Sequence, residues 1–149
     1  MAPSPPETNS TTVPSFVDTN VLVYAEDADA GPKQILAQNL LADLWKDRQG
    51  VLSVQVLQEF YVTVTRKLPK PLPPDQARDI VREYLAWTVV PGTPELLKSA
   101  MDLQHGEELN FWDALIVQAA IEAGCDRLYS EDMGNGRKYG PVTIVNPFA

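Results

Sequence analysis

The strongest constraint on the fold is an alternation of short, β-branched apolar runs with longer stretches of helical periodicity. The first run is Ser15-Phe16-Val17, and residues 33–49 then carry apolar side chains at helical spacing until Gly50 ends the pattern. Four later runs are strand candidates: 51–52, 87–90, 127–130 and 142–145. Strands that alternate with helices predict a five-stranded, mostly parallel sheet with helices on both faces, which is an α/β fold.

Capping residues and prolines mark the helix ends. Ser53 is a good N-cap for a helix that runs to about Lys67, and prolines at 69, 71, 73 and 74 then require an irregular connector. Three further helices are predicted: 75–86, 94–105 after the Thr93 cap, and 111–123, which Gly124 ends as a C-terminal cap.

The length of 149 residues suits one domain, which we place at residues 15–149. Residues 1–14 are rich in Pro, Ser and Thr and lack the charged and apolar regions of a signal peptide, so we expect a flexible leader. No apolar run reaches the ~18 residues that a membrane span needs. We therefore expect a cytoplasmic location and no membrane association.

Charge and ligand chemistry limit the functions that are open. One cysteine, Cys125, and one histidine, His105, cannot build a zinc site or a disulfide, so any metal must be held by oxygen. The net charge of −8 argues against broad, nonspecific binding to polyanions. If four acids were cation ligands, 16 would remain against 12 basic residues, and the charge outside the site would be −4.

Four carboxylates are candidates for such a site. Asp18 closes the first strand, and Asp132 follows the fourth strand just before Gly134-Asn135-Gly136. Ligand sites of open α/β sheets lie at the carboxyl ends of strands. Asp113 lies in the first turn of its helix, and Glu59 lies in mid-helix, one turn after Gln55.

Each acid also has a structural interpretation. Asp18 could cap the next helix, and Asn110 with Asp113 could form a capping arrangement. Glu59 could belong to a solvated helix face, and Asp132 could form an Asx turn. Adjacent residues of an extended chain point to opposite sides, so only one of Glu131 and Asp132 should face a site.

Four segments together resemble a known family. They are Phe-Val-Asp18-Thr-Asn20-Val-Leu-Val-Tyr, Leu-Ser-Val-Gln-Val-Leu-Gln-Glu59-Phe-Tyr, Asn-Phe-Trp-Asp113-Ala-Leu-Ile and Leu-Tyr-Ser-Glu-Asp132-Met. In this order, and with the proline-rich connector, they resemble the PIN domain, and more narrowly the VapC-type toxins of bacterial toxin–antitoxin pairs. The resemblance covers residues 15 to about 147.

The resemblance implies a three-layer α/β/α sandwich and an endoribonuclease that depends on Mg²⁺ or Mn²⁺. Its catalytic and metal-binding residues would be Asp18, Glu59, Asp113 and Asp132, with Asn20 as a polar support. It also implies an RNA substrate, products with 5′-phosphate and 3′-hydroxyl ends, a cognate antitoxin and a homodimer. Asn110 departs from the family, in which Ser or Thr is common at this position.

This chemistry suits the residues. Neither the histidine nor the cysteine stands in a catalytic motif, so the nucleophile is best assigned to water activated by the ion. An acidic groove would also accept an Arg or Lys of an antitoxin tail in place of the cation. Phosphate contacts could come from basic residues near the motifs: Arg66, Lys67, Lys70, Arg127, Arg137 and Lys138.

Two other functions stay open. A Mg²⁺-binding phosphoacceptor module would need an aspartate after the third strand, but this strand reads Trp-Thr-Val-Val-Pro-Gly. A catalytically silent, PIN-like binding partner would be consistent with the same fold, and a metal titration would distinguish it from a nuclease.

Overall fold

The computed structural model describes residues 13–149, so the predicted leader lies outside the described residues except for Val13 and Pro14. Within this described range, six strands occur in chain order: β1 (Ser15–Val17), β2 (Gly50–Ser53), β3 (Thr88–Val90), β4 (Arg127–Tyr129), β5 (Lys138–Tyr139) and β6 (Val142–Val145). Six α-helices accompany them: α1 (Thr19–Glu26), α2 (Pro32–Asp47), α3 (Val54–Val62), α4 (Pro74–Tyr84), α5 (Pro94–Gly106) and α6 (Phe111–Glu122).

The strands form one sheet in the order β3-β2-β1-β4-β6-β5. All neighbours are parallel except β5 and β6. The first strand of the chain thus lies in the middle of the sheet, between β2 and β4, and its three residues are buried. Phe16, Leu52, Leu128 and Ile144 have no exposed surface and form the centre of the core between the helical layers. The predicted α/β sandwich with a mostly parallel sheet is confirmed.

The predicted number of five strands was wrong, because the sheet has a sixth strand at its edge. β5 is only two residues long and follows Arg137, so its sequence has no apolar alternation that would reveal a strand. It forms because the chain turns back at Gly140, which has a φ of 57°, and pairs antiparallel with β6. Tyr139 is buried by this pairing.

The helix that carries Glu59 reaches Lys67 as predicted, but its last turn is of a different type. α3 stops at Val62 and continues as one π-helical turn, Thr63–Lys67, where the Leu68 amide donates to the Thr63 carbonyl at 3.2 Å. The Leu72 amide then donates to the Val64 carbonyl at 2.8 Å, which folds the proline-rich connector back along the helix. Thr63 and Leu68 consequently come to line the cavity described below.

The predicted caps are confirmed. The Ser53 and Thr93 hydroxyls accept hydrogen bonds from the amides of Val56 and Leu96, at 3.2 and 3.0 Å. Gly124 follows α6 with a φ of 77°, a conformation that favours glycine. Among residues 13–149, every helix is too short or too polar to cross a bilayer.

Gly50 is a position where the backbone approaches an aromatic cluster. A Cβ atom at Gly50 would overlap the Trp87 ring, which packs against Trp45 and Tyr84 at centroid distances of 5.5 and 5.2 Å. We expect Gly50→Ala to lower the free energy of unfolding by about 1–3 kcal/mol, because the ring must shift in a packed environment. Urea denaturation measures this, with Gly92→Ala as the control because no atom lies within 4 Å of a Cβ there. Equal stabilities of the two variants would contradict the prediction.

Candidate active site

Asp18 lies at the carboxyl end of the central strand, where the chain passes from β1 into α1. Its amide donates to the Tyr129 carbonyl at 2.9 Å, so the residue is attached to β4. Its Oδ1 accepts from the Thr19 amide at 2.7 Å, and its Oδ2 accepts from the Ser130 hydroxyl at 2.8 Å. The carboxylate is buried, with 7% of its surface exposed. Asp18 therefore does cap α1, and its second oxygen faces groups from the other half of the sheet.

Burial has a consequence for the charge of Asp18. Removal from water raises the pKa of this carboxyl to about 6, although the hydrogen bonds from Ser130 and Thr19 oppose the change. The neighbouring carboxylates of Asp113 and Glu59 make smaller contributions to the same increase. Asp18 is thus an ionisable group that the fold holds in an environment unfavourable to its negative charge.

Glu59 reaches the same region from α3. Its Oε1 accepts from the Thr19 hydroxyl at 2.7 Å, and its Oε2 accepts from the Gln55 amide group at 3.1 Å. These two contacts fix both oxygens of the carboxylate. Glu59 is half-buried against α1 and does not belong to a solvated helix face.

Asp113 stands in the first turn of α6, and Asn110 is the N-cap. The Asp113 amide donates to Asn110 Oδ1 at 2.8 Å, and Asn110 Nδ2 donates to Asp113 Oδ2 at 3.1 Å. Partial burial raises the pKa of Asp113, the charge of Asp132 raises it further, and the Asn110 hydrogen bond lowers it. The capping interpretation is correct here, and it is compatible with a site because one Asp113 oxygen has no contact with the cap.

Asp132 is linked to Asp18 through Asn20. Asn20 Nδ2 lies 3.1 Å from Asp132 Oδ2 and 3.4 Å from Asp18 Oδ2. The buried Ser130 hydroxyl accepts from the Asp132 amide at 3.2 Å while it donates to Asp18. Asn20 and Ser130 thus connect the acid after β1 with the acid after β4.

All four candidate acids line one cavity of about 430 Å³, together with Asn20, Thr19 and Tyr24. Within residues 13–149, however, no group of three or more His, Cys, Asp or Glu side chains has a geometry that could hold a metal ion. The four acids line the same cavity, but no three of their side chains are placed to bind one ion.

The donor chemistry of this cavity fits a hard divalent cation. Its acidic groups offer only oxygen, which Mg²⁺ and Mn²⁺ prefer, and Mg²⁺ usually keeps several waters and uses few protein carboxylates. Asp18 and Asp113 have raised pKa values, so a cation would favour their ionised forms. Asp18, Glu59, Asp113 and Asp132 offer this donor chemistry, but their side chains would have to move closer together to hold one ion.

Several polar residues at or beside this cavity did not emerge as site residues from the sequence, among them Thr19, Asp27 and Ser130. Ser130 and Thr19 each hold a carboxylate of the candidate set. Both stand beside motif acids, but a hydroxyl next to a strand end is too common to be a signal on its own. As expected for the adjacent pair, only Asp132 lines the cavity, and the Glu131 carboxylate contacts Tyr24 and Lys33.

The chain belongs to the PIN domain family, whose model matches residues 15–137. No curated protein sequence is similar enough to match the chain. The family model covers β1 through α6 and β4, and therefore all four candidate acids.

Solved structures with the same fold come from several bacteria. A toxin–antitoxin complex from Klebsiella pneumoniae is 16% identical, with a TM-score of 0.67 over 89% of this chain and 97% of that one. VapC20 of Mycobacterium tuberculosis, a toxin that cleaves the sarcin–ricin loop, is 19% identical, with a TM-score of 0.59 over 79% and 89% of the two chains. VapBC2 of Rickettsia felis, bound to a promoter DNA fragment, is 20% identical, with a TM-score of 0.60 over 87% and 96%.

Proposed function

We propose that this PIN-domain chain is an endoribonuclease that depends on Mg²⁺ or Mn²⁺ and hydrolyses RNA phosphodiesters. The observation that carries the proposal is the cavity in which Asp18, Glu59, Asp113 and Asp132 converge from four separate elements. Carboxylates that line one cavity repel one another unless a cation or a substrate group compensates their charge. A metal titration distinguishes this function from that of a catalytically silent binding partner.

The side chains around the acids act as positioning groups. Thr19 orients Glu59, Ser130 orients Asp18, and Asn20 donates to both Asp18 and Asp132. A bound divalent cation would offset the negative charge on the phosphoryl oxygens and would lower the pKa of the attacking water. The chain itself supplies the fixed carboxylates and a cavity that is open to a phosphodiester.

Basic residues on the rim would hold the RNA backbone. Arg66 and Lys67 are exposed on the π-helical turn that begins at Thr63, a residue of the cavity wall. Lys70 lies 3.7 Å from Asp29, so its charge is already partly compensated. Arg127 stacks on Tyr129, which lines a different cavity with Asp43 and Asp47. We therefore favour Arg66 and Lys67 for phosphate contact.

Incubation with total RNA tests the activity directly. The protein is incubated with Mg²⁺, with Mn²⁺ or with a chelator, and the cut ends are sequenced. We expect cleavage only with the cation, at defined positions, with 5′-phosphate and 3′-hydroxyl ends. Cleavage that persists in the chelator, or ends with a 2′,3′-cyclic phosphate, would contradict the proposed chemistry.

The cation should also stabilise the folded protein. At neutral pH we expect added Mg²⁺ or Mn²⁺ to raise the thermal midpoint, because a ligand at about 100 times its Kd contributes ~2.7 kcal/mol. The double variant Asp18→Asn/Asp132→Asn should show a much smaller increase, since it lacks two ligands. Differential scanning fluorimetry measures both. Equal increases in the two proteins would place the bound ion elsewhere.

We further propose that the chain is the toxin of a type II toxin–antitoxin pair. Structural neighbours include a toxin–antitoxin complex and VapBC2, and the net charge of −8 suits a basic antitoxin tail. An Arg or Lys of that tail would lie over the four acids and exclude both cation and RNA.

Exposed apolar side chains support contacts with further chains, including a second copy. Leu97 and Met101 are one turn apart on α5 and are 44% and 49% exposed, and Trp112 on α6 is 62% exposed. We expect the untagged protein, purified from its own source, to carry a small second chain in paired heterodimers. Native mass spectrometry measures the composition. A free, active and harmless protein would refute the toxin role and leave the nuclease proposal intact.

A further inference from the structure

A second group of contacts lies beside the cavity, around Glu131, which does not line it. The Glu131 carboxylate accepts a hydrogen bond from the Tyr24 hydroxyl at 2.6 Å and forms an ion pair with the Lys33 ammonium group. Tyr24 belongs to α1 and Lys33 to α2. Glu131 therefore ties the segment after β4 to two helices from the first part of the chain.

Aromatic rings enclose this group, which we call the Glu131 clasp and define as Tyr24, Lys33 and Glu131. The Lys33 ammonium lies 5.0 Å from the Tyr24 ring centroid and 5.8 Å from that of Phe148. The two rings pack edge to face, with their centroids 5.1 Å apart. The exposed fractions of the Lys33 and Glu131 side chains are 41% and 22%. The two rings thus partly cover the ion pair.

The backbone of Glu131 is held as well. Its amide donates to Asn20 Oδ1 at 3.3 Å, and the next amide, that of Asp132, donates to the Ser130 hydroxyl at 3.2 Å. Asn20 also contacts the Asp132 carboxylate. Contacts of the Glu131 side chain and of its amide thus hold the segment between β4 and Asp132.

We propose that the Glu131 clasp positions Asp132 for divalent cation binding. Tyr24, Lys33 and Glu131 are positioning residues in this scheme, and the scheme rests on the proposed function. An ion pair near the surface contributes little to folding stability. Groups that orient a metal ligand, in contrast, commonly change metal affinity by about 10- to 100-fold. Loss of the clasp should thus weaken cation binding while the fold stays intact.

Tyr24→Phe is the most conservative test, because it keeps the ring and removes only the hydroxyl. We expect isothermal titration of the metal-free protein with Mn²⁺ to show an affinity about 10-fold lower, with an unchanged thermal midpoint in the absence of cation. Tyr129→Phe is the matched control. It removes a hydroxyl that accepts from Arg127 at 3.0 Å, on a side chain that lines a different cavity. The control should bind Mn²⁺ with wild-type affinity.

Two substitutions at Glu131 separate the hydrogen bond from the charge. In Glu131→Gln the amide oxygen can still accept from Tyr24, whereas Glu131→Ala loses both contacts. We expect Glu131→Gln to retain more Mn²⁺ affinity than Glu131→Ala. Adding Tyr24→Phe to Glu131→Ala should cause no further loss, because both changes remove the same bond. A further loss equal to that of Tyr24→Phe alone would overturn the proposal.

A measurement without metal keeps the inference separate from the proposed function. Hydrogen exchange at the Glu131 and Asp132 amides should be faster in Tyr24→Phe than in the wild type, and unchanged in Tyr129→Phe. If the wild type neither binds Mn²⁺ nor cleaves RNA, the proposed function fails, and the two exchange rates still decide whether the clasp orders this segment. Wild-type affinity together with wild-type exchange in Tyr24→Phe would overturn the inference.

Discussion

Asp18→Asn is expected to reduce RNA cleavage by at least ~100-fold while the protein stays folded, because groups that merely support a metal ligand already contribute 10- to 100-fold. Asn keeps the shape of the side chain and an oxygen that can accept from the Thr19 amide, so the α1 cap survives. It removes the negative charge at the centre of the candidate set. Initial rates on a defined RNA at saturating Mn²⁺, with circular dichroism of the same samples, measure both effects.

Asp43→Asn is the matched control, since Asp43 is exposed and lines a different cavity. It should cleave RNA at the wild-type rate. Full activity of Asp18→Asn would refute the site assignment. Glu59→Gln, Asp113→Asn and Asp132→Asn should behave like Asp18→Asn, and a double variant should be little worse than its worse single variant, because the carboxylates act as one unit.

The same substitution is expected to make the metal-free protein more stable. The pKa of Asp18 is about 6 in the folded protein, against an ordinary value of 3.8, so the folded state binds this proton more tightly than the unfolded state. Stability is consequently lost as the pH rises from about 4 to about 6, and the full cost at neutral pH is up to ~3 kcal/mol. Asn carries no charge and avoids this cost.

Urea denaturation in a chelator, at several pH values, measures the difference between Asp18→Asn and the wild type. The two proteins should be nearly equally stable near pH 4, and the variant should gain an advantage that levels off above about pH 6. Added Mn²⁺ should reduce or reverse the advantage, since only the wild type has the complete ligand set. A variant less stable than the wild type in chelator at neutral pH would show that burial of Asp18 is not costly.

Much of the fold could be predicted from local sequence patterns. Buried parallel strands such as β1 and β2 are short apolar runs, and caps such as Ser53 and Thr93 mark helix starts with a single side chain. β5 could not be found in this way, because its pairing with β6 and not its own sequence makes it a strand. The π-helical turn was missed for a similar reason. Val64 follows Phe60 at the four-residue spacing of an α-helix, so the apolar pattern shows no change in helix type.

Asp18 and Asp132 could be proposed from the sequence because the carboxyl ends of strands lie at one edge of a parallel sheet. The complete set with Glu59 and Asp113 came from the resemblance to the PIN domain. The partners of these acids could not be predicted. The hydrogen bonds from Thr19 to Glu59 and from Ser130 to Asp18 join residues 40 and 112 positions apart in the chain. The same holds for Glu131, whose bonds to Tyr24 and Lys33 depend on how α1 and α2 pack beside the sheet. Such contacts follow from the tertiary arrangement and leave no local signal.

The central place of β1 has a consequence for protein synthesis. β1 pairs with β2, which is made soon afterwards, and with β4, which is made much later. Until β4 and Ser130 have been synthesised, Asp18 lacks the hydroxyl that holds it and Asn20 lacks Asp132. A nascent chain or an interrupted translation product that ends before Ser130 therefore lacks the contacts that hold Asp18 and Asn20 in the candidate site.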